Sequence, residues 1–239
     1  MILNKTKSLT NRAREAIMEI VIKSDFMAKL PSESEMSAMF GISRNTVREA
    51  IKMLEHEGLI ISRHGVGTFV IHSGDGLRYN ITNLNSTTEI IRSQGFKPNS
   101  RAVCTEVRPA APAIAKQLRI APGSDIIYLE RIRTADDKPV IIVEDYIQHQ
   151  ADVFEKLAGD APQSLFSVLS EAGLTVSFSS CSLDATISNA EQMGFLELDA
   201  PRALLVLRQT HFTRTGEPVL YSDSYFLPDQ LEFNLIRRL

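Results

Sequence analysis

Arg44, Asn45, Arg48 and Lys52 recur at a spacing that would set them along the outer side of one helix. Their chemistry is recognition, not bond-breaking. A guanidinium offers two parallel N–H donors that match guanine O6 and N7, a carboxamide matches adenine, and an ammonium suits a phosphate. Reactive chemistry has little to work with elsewhere. Cys104 and Cys181 show no CxxC spacing, the 5 histidines are scattered, and neither GxGxxG nor GxxxxGK[ST] occurs. Without a nucleophile–base pair or a ligand cluster, no cofactor and no metal are expected. The two cysteines are expected in strands, as buried thiols of a reduced, cytoplasmic protein.

The elements that must position these side chains are legible around them. Ser32 can cap a short helix, with Glu35 as its capping-box partner and Met36 and Met39 facing inward. Gly41 suits the left-handed turn after Phe40, and Ser43 caps the next helix. There Val47, Ala50, Ile51 and Leu54 form one apolar face, opposite the cations, and Gly58 supplies the stop. Leu59 to Ile61 start a strand, Arg63-His64-Gly65-Val66-Gly67 turns it, and Thr68 to Ile71 return. Upstream, Leu9, Ala13, Ala16, Ile17, Ile20 and Val21 repeat at helical spacing and complete a three-helix core. Taken alone, the cationic face reads as an ordinary solvated surface; the preceding helix and the following hairpin turn the reading toward the DNA major groove.

Charge divides the chain. Residues 1–72 hold 10 Lys+Arg against 8 Asp+Glu, a balance of +2, and residues 73–239 hold 16 against 21, a balance of −5, which together give the net −3. A weakly basic reader on an acidic body should bind nucleic acid with one face only. The expected boundaries are 1–72 for the reader, 73–85 for a linker beginning Ser73-Gly74-Asp75-Gly76, and 86–239 for the body. No signal peptide or membrane span is expected.

The body repeats itself. AKQLRIAPGSDIIYLERIRTADDKPVIIVEDYI from Ala115 echoes AEQMGFLELDAPRALLVLRQTHFTRTGEPVLYSDSYF from Ala190. Each copy runs short helix, strand, turn, strand, with Asp136-Asp137-Lys138-Pro139 and Thr215-Gly216-Glu217-Pro218 as matching hairpin turns. Strands at 101–108 and 178–187 precede the copies, and a short helix runs from Thr87 to Gly95. The fold class expected is α+β: a winged helix-turn-helix followed by one antiparallel sheet with helices over it. A pocket is expected where the two halves meet.

The series LPSESE, FGISRNTVREAIKMLEHEGLI and HGVGTFV resembles the GntR family of bacterial transcription regulators. The resemblance implies that Ser43, Arg44, Asn45, Thr46 and Arg48 read bases and that His64, Gly65 and Gly67 form the wing contact; Arg63 sits beside them at the hairpin tip, and Lys52, further along the helix, is expected to meet a phosphate or nothing. Ser34 stands where family members often carry a DNA-contacting Arg and offers only a hydroxyl. From about Leu77 onward the chain is similar to the UTRA effector-binding domain of the HutC subfamily, whose fold resembles chorismate lyase. That likeness rests on Arg131-Ile132-Arg133, the DDKP turn, Pro162-Gln163-Ser164-Leu165-Phe166 and the closing YSDSYF. It implies a homodimer, a double-stranded operator and a small metabolite effector, with Ser86, Thr87 and Thr88 in the ligand loop.

Arg131 and Arg133 alternate by two and share a strand face, a costly arrangement unless a phosphate, phosphonate or carboxylate neutralises them. Ser164, at a helix start, could add to such an anion site, with Glu144 and Tyr225 as further effector contacts. Alternatively, Glu130, Glu144 or Asp145 pair with the arginines in a surface network. Val143 and Leu220 replace acids of amino-sugar-binding relatives, and Phe226 replaces an aromatic hydroxyl, which speaks against an amino sugar phosphate. The expected function is a ligand-responsive DNA-binding regulator, a repressor by family habit. The rivals are a lyase-like enzyme on the C-terminal fold and an architectural DNA binder of low specificity.

Overall fold

A computed structural model describes residues 8–71, 81, 84–159, 164–231 and 233. They form two compact units, one ending before Leu84 and one spanning Leu84–Phe233. The expected linker lies mostly outside the described residues, as do Pro162 and Gln163.

In the first unit, α1 (Leu9–Ile22), α2 (Glu33–Phe40) and α3 (Arg44–His56) precede a hairpin of β1 (Ile60–Arg63) and β2 (Gly67–Val70). The caps are those the sequence signals: Ser32 with Glu35 in a capping box, Gly41 at φ 64°, and Ser43 accepting from the Thr46 N–H. Ile17, Met36, Val47, Leu54 and Ile60 meet in one buried cluster. Two expectations fail at helix edges. Leu9 is exposed because it opens the first turn of α1, and Met39 is exposed because it lies three residues beyond the buried Met36 on a two-turn helix. Arg14 grips Glu57 with two hydrogen bonds of 2.7 and 2.5 Å, tying α1 to the end of α3.

The second unit is a six-stranded antiparallel sheet in the order β3-β4-β5-β8-β7-β6. Its strands are β3 (Pro98–Pro109), β4 (Asp125–Ala135), β5 (Lys138–Gln148), β6 (Phe178–Ile187), β7 (Ala203–Phe212) and β8 (Pro218–Phe226). The repeat becomes geometry here. Hairpins β4–β5 and β7–β8 meet at β5–β8, where Ile141 pairs with Phe226, Glu144 with Asp223 and Ile147 with Leu220. Matching the copies on Pro139 and Pro218 makes Ile141 equivalent to Leu220, Glu144 to Asp223 and Ile147 to Phe226. The register therefore maps onto itself when the copies are exchanged, as a local two-fold requires.

Each hairpin also carries a one-residue bulge at the equivalent place. Val140 is skipped between the Arg133–Ile141 and Thr134–Pro139 pairs, and Val219 between His211–Leu220 and Phe212–Pro218. Over one sheet face lie α6 (Ala151–Ala158) and α7 (Leu165–Glu171), sealing Ile127, Leu129 and Ile147. α5 (Pro112–Leu118) and the end of α8 (Ala190–Phe195) cover parts of the other face. α4 (Thr87–Ser93) packs by β3 and β4. Among the described residues no helix is long and apolar enough to cross a membrane. The cysteines are in strands as expected but are not buried: Cys104 is half-buried and Cys181 exposed, because they occupy the two edge strands β3 and β6.

Candidate nucleic-acid interface and ligand pocket

Two constellations emerge, one in each unit. In the first, Ser34, Ser43, Arg44, Asn45, Arg48 and Lys52 are all exposed, with Thr46 half-buried behind them. Arg48 is already engaged: its Nε and Nη2 donate to Glu33 Oε1 and Oε2 at 3.0 and 2.7 Å, and Arg44 Nη2 stands 4.0 Å from the same carboxylate. That two-pronged grip presents the guanidinium with the fork it would use on a guanine edge. It also holds the Glu33 carboxyl below its usual range. Lys52 pairs with Glu49 at 3.0 Å, one helical turn back.

In the hairpin, Arg63, His64 and Gly65 are exposed, and the Arg63 guanidinium lies 5.3 Å from the Phe69 ring centre. Gly65 has φ 72° and open space around it. Gly67 has φ 134°, and a Cβ there would stand 2.6 Å from Lys29 Cε. Lys29 thus places a cation on the wing, which the sequence reading missed. The β-bridge from Lys29 to Phe69 brings it there, a pairing no local pattern announces.

The second constellation lies on the face of the sheet beneath α4 and α7. Odd-numbered residues of β4, β5 and β7 and even-numbered ones of β8 point into it: Arg131, Asp145, Gln209, His211, Ser222 and Ser224. From the helices come Ser86, Thr87, Thr88, Ser164 and Phe166, while Val143, Leu220 and Phe226 add apolar wall. The enclosed volume is about 40 Å³, and it opens past Ser86, Thr88, Ser164 and Phe166 onto a groove of about 640 Å³ between α4 and α7.

Charge inside this pocket is unbalanced. Arg131 Nη2 donates to Asp145 Oδ2 at 2.5 Å, and Ser222 Oγ donates to Asp145 Oδ1 at 2.6 Å. Arg133 lies behind the lining and donates through Nη2 to Thr88 Oγ1 at 2.7 Å. Both arginines are buried, yet Arg131 Nε and Arg133 Nε and Nη1 have no partner among the described residues. Among the described residues, two guanidiniums thus share one carboxylate. Burial first, then the neighbouring Arg131, pulls Arg133 down to about 10. Of the alternative network, the Arg131–Asp145 pair forms, but it is buried rather than on the surface.

Glu144 and Tyr225 do not join the site. They occupy the opposite face, where the Tyr225 hydroxyl lies 3.4 Å from Glu144 Oε2. The bulges at Val140 and Val219 are the cause: one extra residue per hairpin turns every later side chain to the other face. Asp145 takes the place expected for Glu144. Ser164 stands at the N-cap of α7 without a side-chain capping bond, so its hydroxyl is not committed to the helix. Ser86 caps α4 through a full capping box with Glu89. His211, also missed by the sequence reading, is 3% exposed, lies edge-on to Phe166 with ring centres 5.3 Å apart, and has an unpartnered Nδ1. Burial pushes its pKa down to about 4.

Comparison with known proteins gives two domain matches: residues 9–70 to the bacterial regulatory proteins of the gntR family, and residues 93–232 to the UTRA domain. The uncharacterized HTH-type transcriptional regulator YurK of Bacillus subtilis is 30% identical over 199 residues, covering 82% of this chain and 80% of its own. The HTH-type transcriptional repressor NagR of the same organism is 28% identical over 210 residues, covering 85% and 83%. Among solved structures, the possible transcriptional regulator YydK of B. subtilis superposes with a TM-score of 0.78 at 23% identity, covering 97% of this chain and 100% of its own. PhnF from Mycobacterium smegmatis superposes at 0.60 and 20% identity, covering 95% and 99%.

Proposed function

The chain belongs to the gntR family of transcription regulators, HutC subfamily, with a UTRA effector domain rather than an enzyme behind its DNA reader, and from that premise we propose that it is a homodimeric repressor released from its operator by a small anionic metabolite. The anion reading rests on one observation: among the described residues, two buried guanidiniums, with three unpartnered N–H-bearing nitrogens, share a single carboxylate. Unpaired buried charge is costly, and a phosphate, phosphonate or carboxylate removes the cost with charge-assisted bonds. Apolar Val143 and Leu220 in the wall argue against a ligand whose ammonium or hydroxyls would need acids there. NagR, a relative named as a repressor, supports the sign of regulation.

The reader is assigned to Ser43, Arg44, Asn45, Thr46 and Arg48 for bases, and to Ser34, Lys52, Arg63, His64, Gly65 and Gly67 for the backbone and wing. Swapping Glu33 for a guanine edge would leave the Arg48 fork fully bonded. For the dimer, the support is strand β6, an unpaired edge of 10 residues with Leu183 and Ile187 54% and 63% exposed. Two such edges can pair antiparallel about a two-fold, which matches a near-palindromic operator read in the cytoplasm.

The test is operator selection from random duplexes, followed by gel shifts with and without phosphate, phosphonate and carboxylate metabolites. Arg48→Ala should weaken specific binding by about tenfold or more while the dimer persists, and Arg131→Ala should retain DNA binding but lose effector release. Unchanged operator affinity in the first, or intact release in the second, would remove that residue from its site.

A further inference from the structure

Anion binding as proposed above uses Arg131 and Arg133, but the pocket holds one more nitrogen that neither arginine explains. His211 is 3% exposed, and its Nδ1 has no hydrogen-bond partner among the described residues although its ring lines the cavity beside Gln209 and Ser222. Buried polar atoms are nearly always satisfied, so an orphan nitrogen on a ring that lines a pocket marks a missing partner. Phe166 packs edge-on against the ring and fixes its direction.

The surroundings determine what that partner must be. Among the described residues, the charged groups at this part of the pocket are Arg131 of β4 and Asp145 of β5 in the lining, with Arg133 of β4 behind it. α4, α7 and β8 offer Thr88, Ser164, Phe166, Leu220 and Ser222, none of which carries charge. On β6, Ser179 pairs with His211, and Cys181, opposite Gln209, is the further titratable group on that side. With a neutral imidazole the set sums to +1, enough for a monoanion. A dianion leaves one negative charge unmatched, and His211 is the lining group that can gain a proton without giving up an ion pair, since Asp145 is held by Arg131 and Ser222. A doubly charged oxyanion against the ring reverses the burial effect that now keeps the imidazole neutral, and gives Nδ1–H an acceptor.

We infer that His211 is the third cation of the effector pocket, protonated on binding, and that it selects doubly charged phosphate- or phosphonate-type effectors over monocarboxylates. The inference rests on the anion reading of the Arg131 site. In the second sequence copy His211 occupies the register position that Arg133 holds in the first, since His211 pairs with Leu220 as Arg133 pairs with Ile141. The two halves therefore contribute equivalent positions, one a permanent cation and one conditional.

Sulfate is the probe of choice, because it stays a dianion from pH 5 to 8 and its own titration cannot mimic the effect. Isothermal titration of the full-length protein with sulfate, in buffers of different ionisation enthalpy, should show uptake of close to one proton per sulfate near neutral pH. Affinity should fall up to about tenfold per unit rise in pH over the range where the free imidazole is neutral and the bound one protonated. Nitrate and acetate should bind more weakly, without proton uptake. His211→Asn and His211→Gln, each checked for a cooperative melt, should flatten the pH dependence. Sulfate binding that needs Arg131 but takes up no proton, or is equally pH-dependent in both variants, overturns the role of His211 and leaves the anion pocket standing. Absence of sulfate binding, or binding indifferent to Arg131→Ala, overturns the pocket reading and this inference with it.

Discussion

Asp145→Asn is the sharpest perturbation of the pocket, because one atom's change removes the one carboxylate that, among the described residues, faces two buried guanidiniums. Asp145 is 2% exposed and accepts from both Arg131 and Ser222. Breaking a buried ion pair by removing one partner typically costs about 3–5 kcal/mol, since the remaining charge stays desolvated. Asparagine keeps the shape and one acceptor, so the loss should sit near the lower figure, about 3 kcal/mol. For a domain of this size that lowers Tm by roughly 6–12 °C. The same change raises the pocket's surplus charge from +1 to +2, so anions should bind the variant more tightly than the parent. A ligand at 100 times its Kd stabilises by about 2.7 kcal/mol, nearly the whole deficit. Thermal melts in millimolar sulfate, against chloride at equal ionic strength, should bring the variant back to within a few degrees of the parent. A variant that melts with the parent, or gains no more from sulfate than the parent does, would refute the charge argument.

Glu144 titrates in the opposite sense from a salt-bridged acid. Burial, then Asp223 and Glu130 opposite it on the neighbouring strands, raises its pKa, so the native state holds that proton more tightly than the unfolded chain. Stability from this group falls as pH rises through its folded value. Glu144→Gln should therefore raise Tm at pH 7–8, with the gain shrinking on acidification and gone below about pH 4.3; a pH-independent gain would show another cause. Gly67→Ala forces a side chain to φ 134° with its Cβ 2.6 Å from Lys29 Cε, a backbone strain of about 1–3 kcal/mol. It should lower operator affinity severalfold while sulfate binding is kept, and an unaltered gel shift would detach the wing from DNA contact.

The reader was legible because its signals are local. Ser32, Gly41 and Ser43 fix helix ends through contacts within a few residues, and the Val47–Leu54 stripe follows from helical spacing alone. The hairpin turns at Asp136 and Gly216 were equally local, and the repeat disclosed the paired hairpins of the sheet. What stayed hidden was parity. Without a bulge, the DDKP turn would pair Arg133 with Val140 and set Glu144 on the arginine face; the skipped Val140 puts Asp145 there instead. The bulge at Val219 does the same to Tyr225. Buried valines in unremarkable strands give no sign of either. Lys29 and the Glu33 grip on Arg48 were hidden for a different reason, being contacts between elements. His211 could have been found by aligning the copies on their hairpins and asking what replaces Arg133.

The local two-fold also implies that the proposed pocket would take one anion rather than two. Exchange of the copies carries Arg131 to Gln209, Arg133 to His211, Val143 to Ser222 and Asp145 to Ser224, by the matched hairpin registers. Backbone geometry is duplicated, but the permanent charges all belong to the first copy, and the second answers with hydroxyls, an amide and an imidazole. An anion must then lie toward β4, within reach of Thr88, which Arg133 already holds at 2.7 Å. Asn85 to Thr88 are among the first residues of this unit, so a ligand in the pocket would touch the segment by which the chain enters it. A ligand shifts a two-state equilibrium only by its difference in affinity for the two states. Arg133 supplies such a difference if its two free nitrogens are satisfied by the anion in one state and unsatisfied in the other, which makes Arg133→Lys, with one compact charge in place of a fork, the change that should keep anion binding yet weaken the release of DNA.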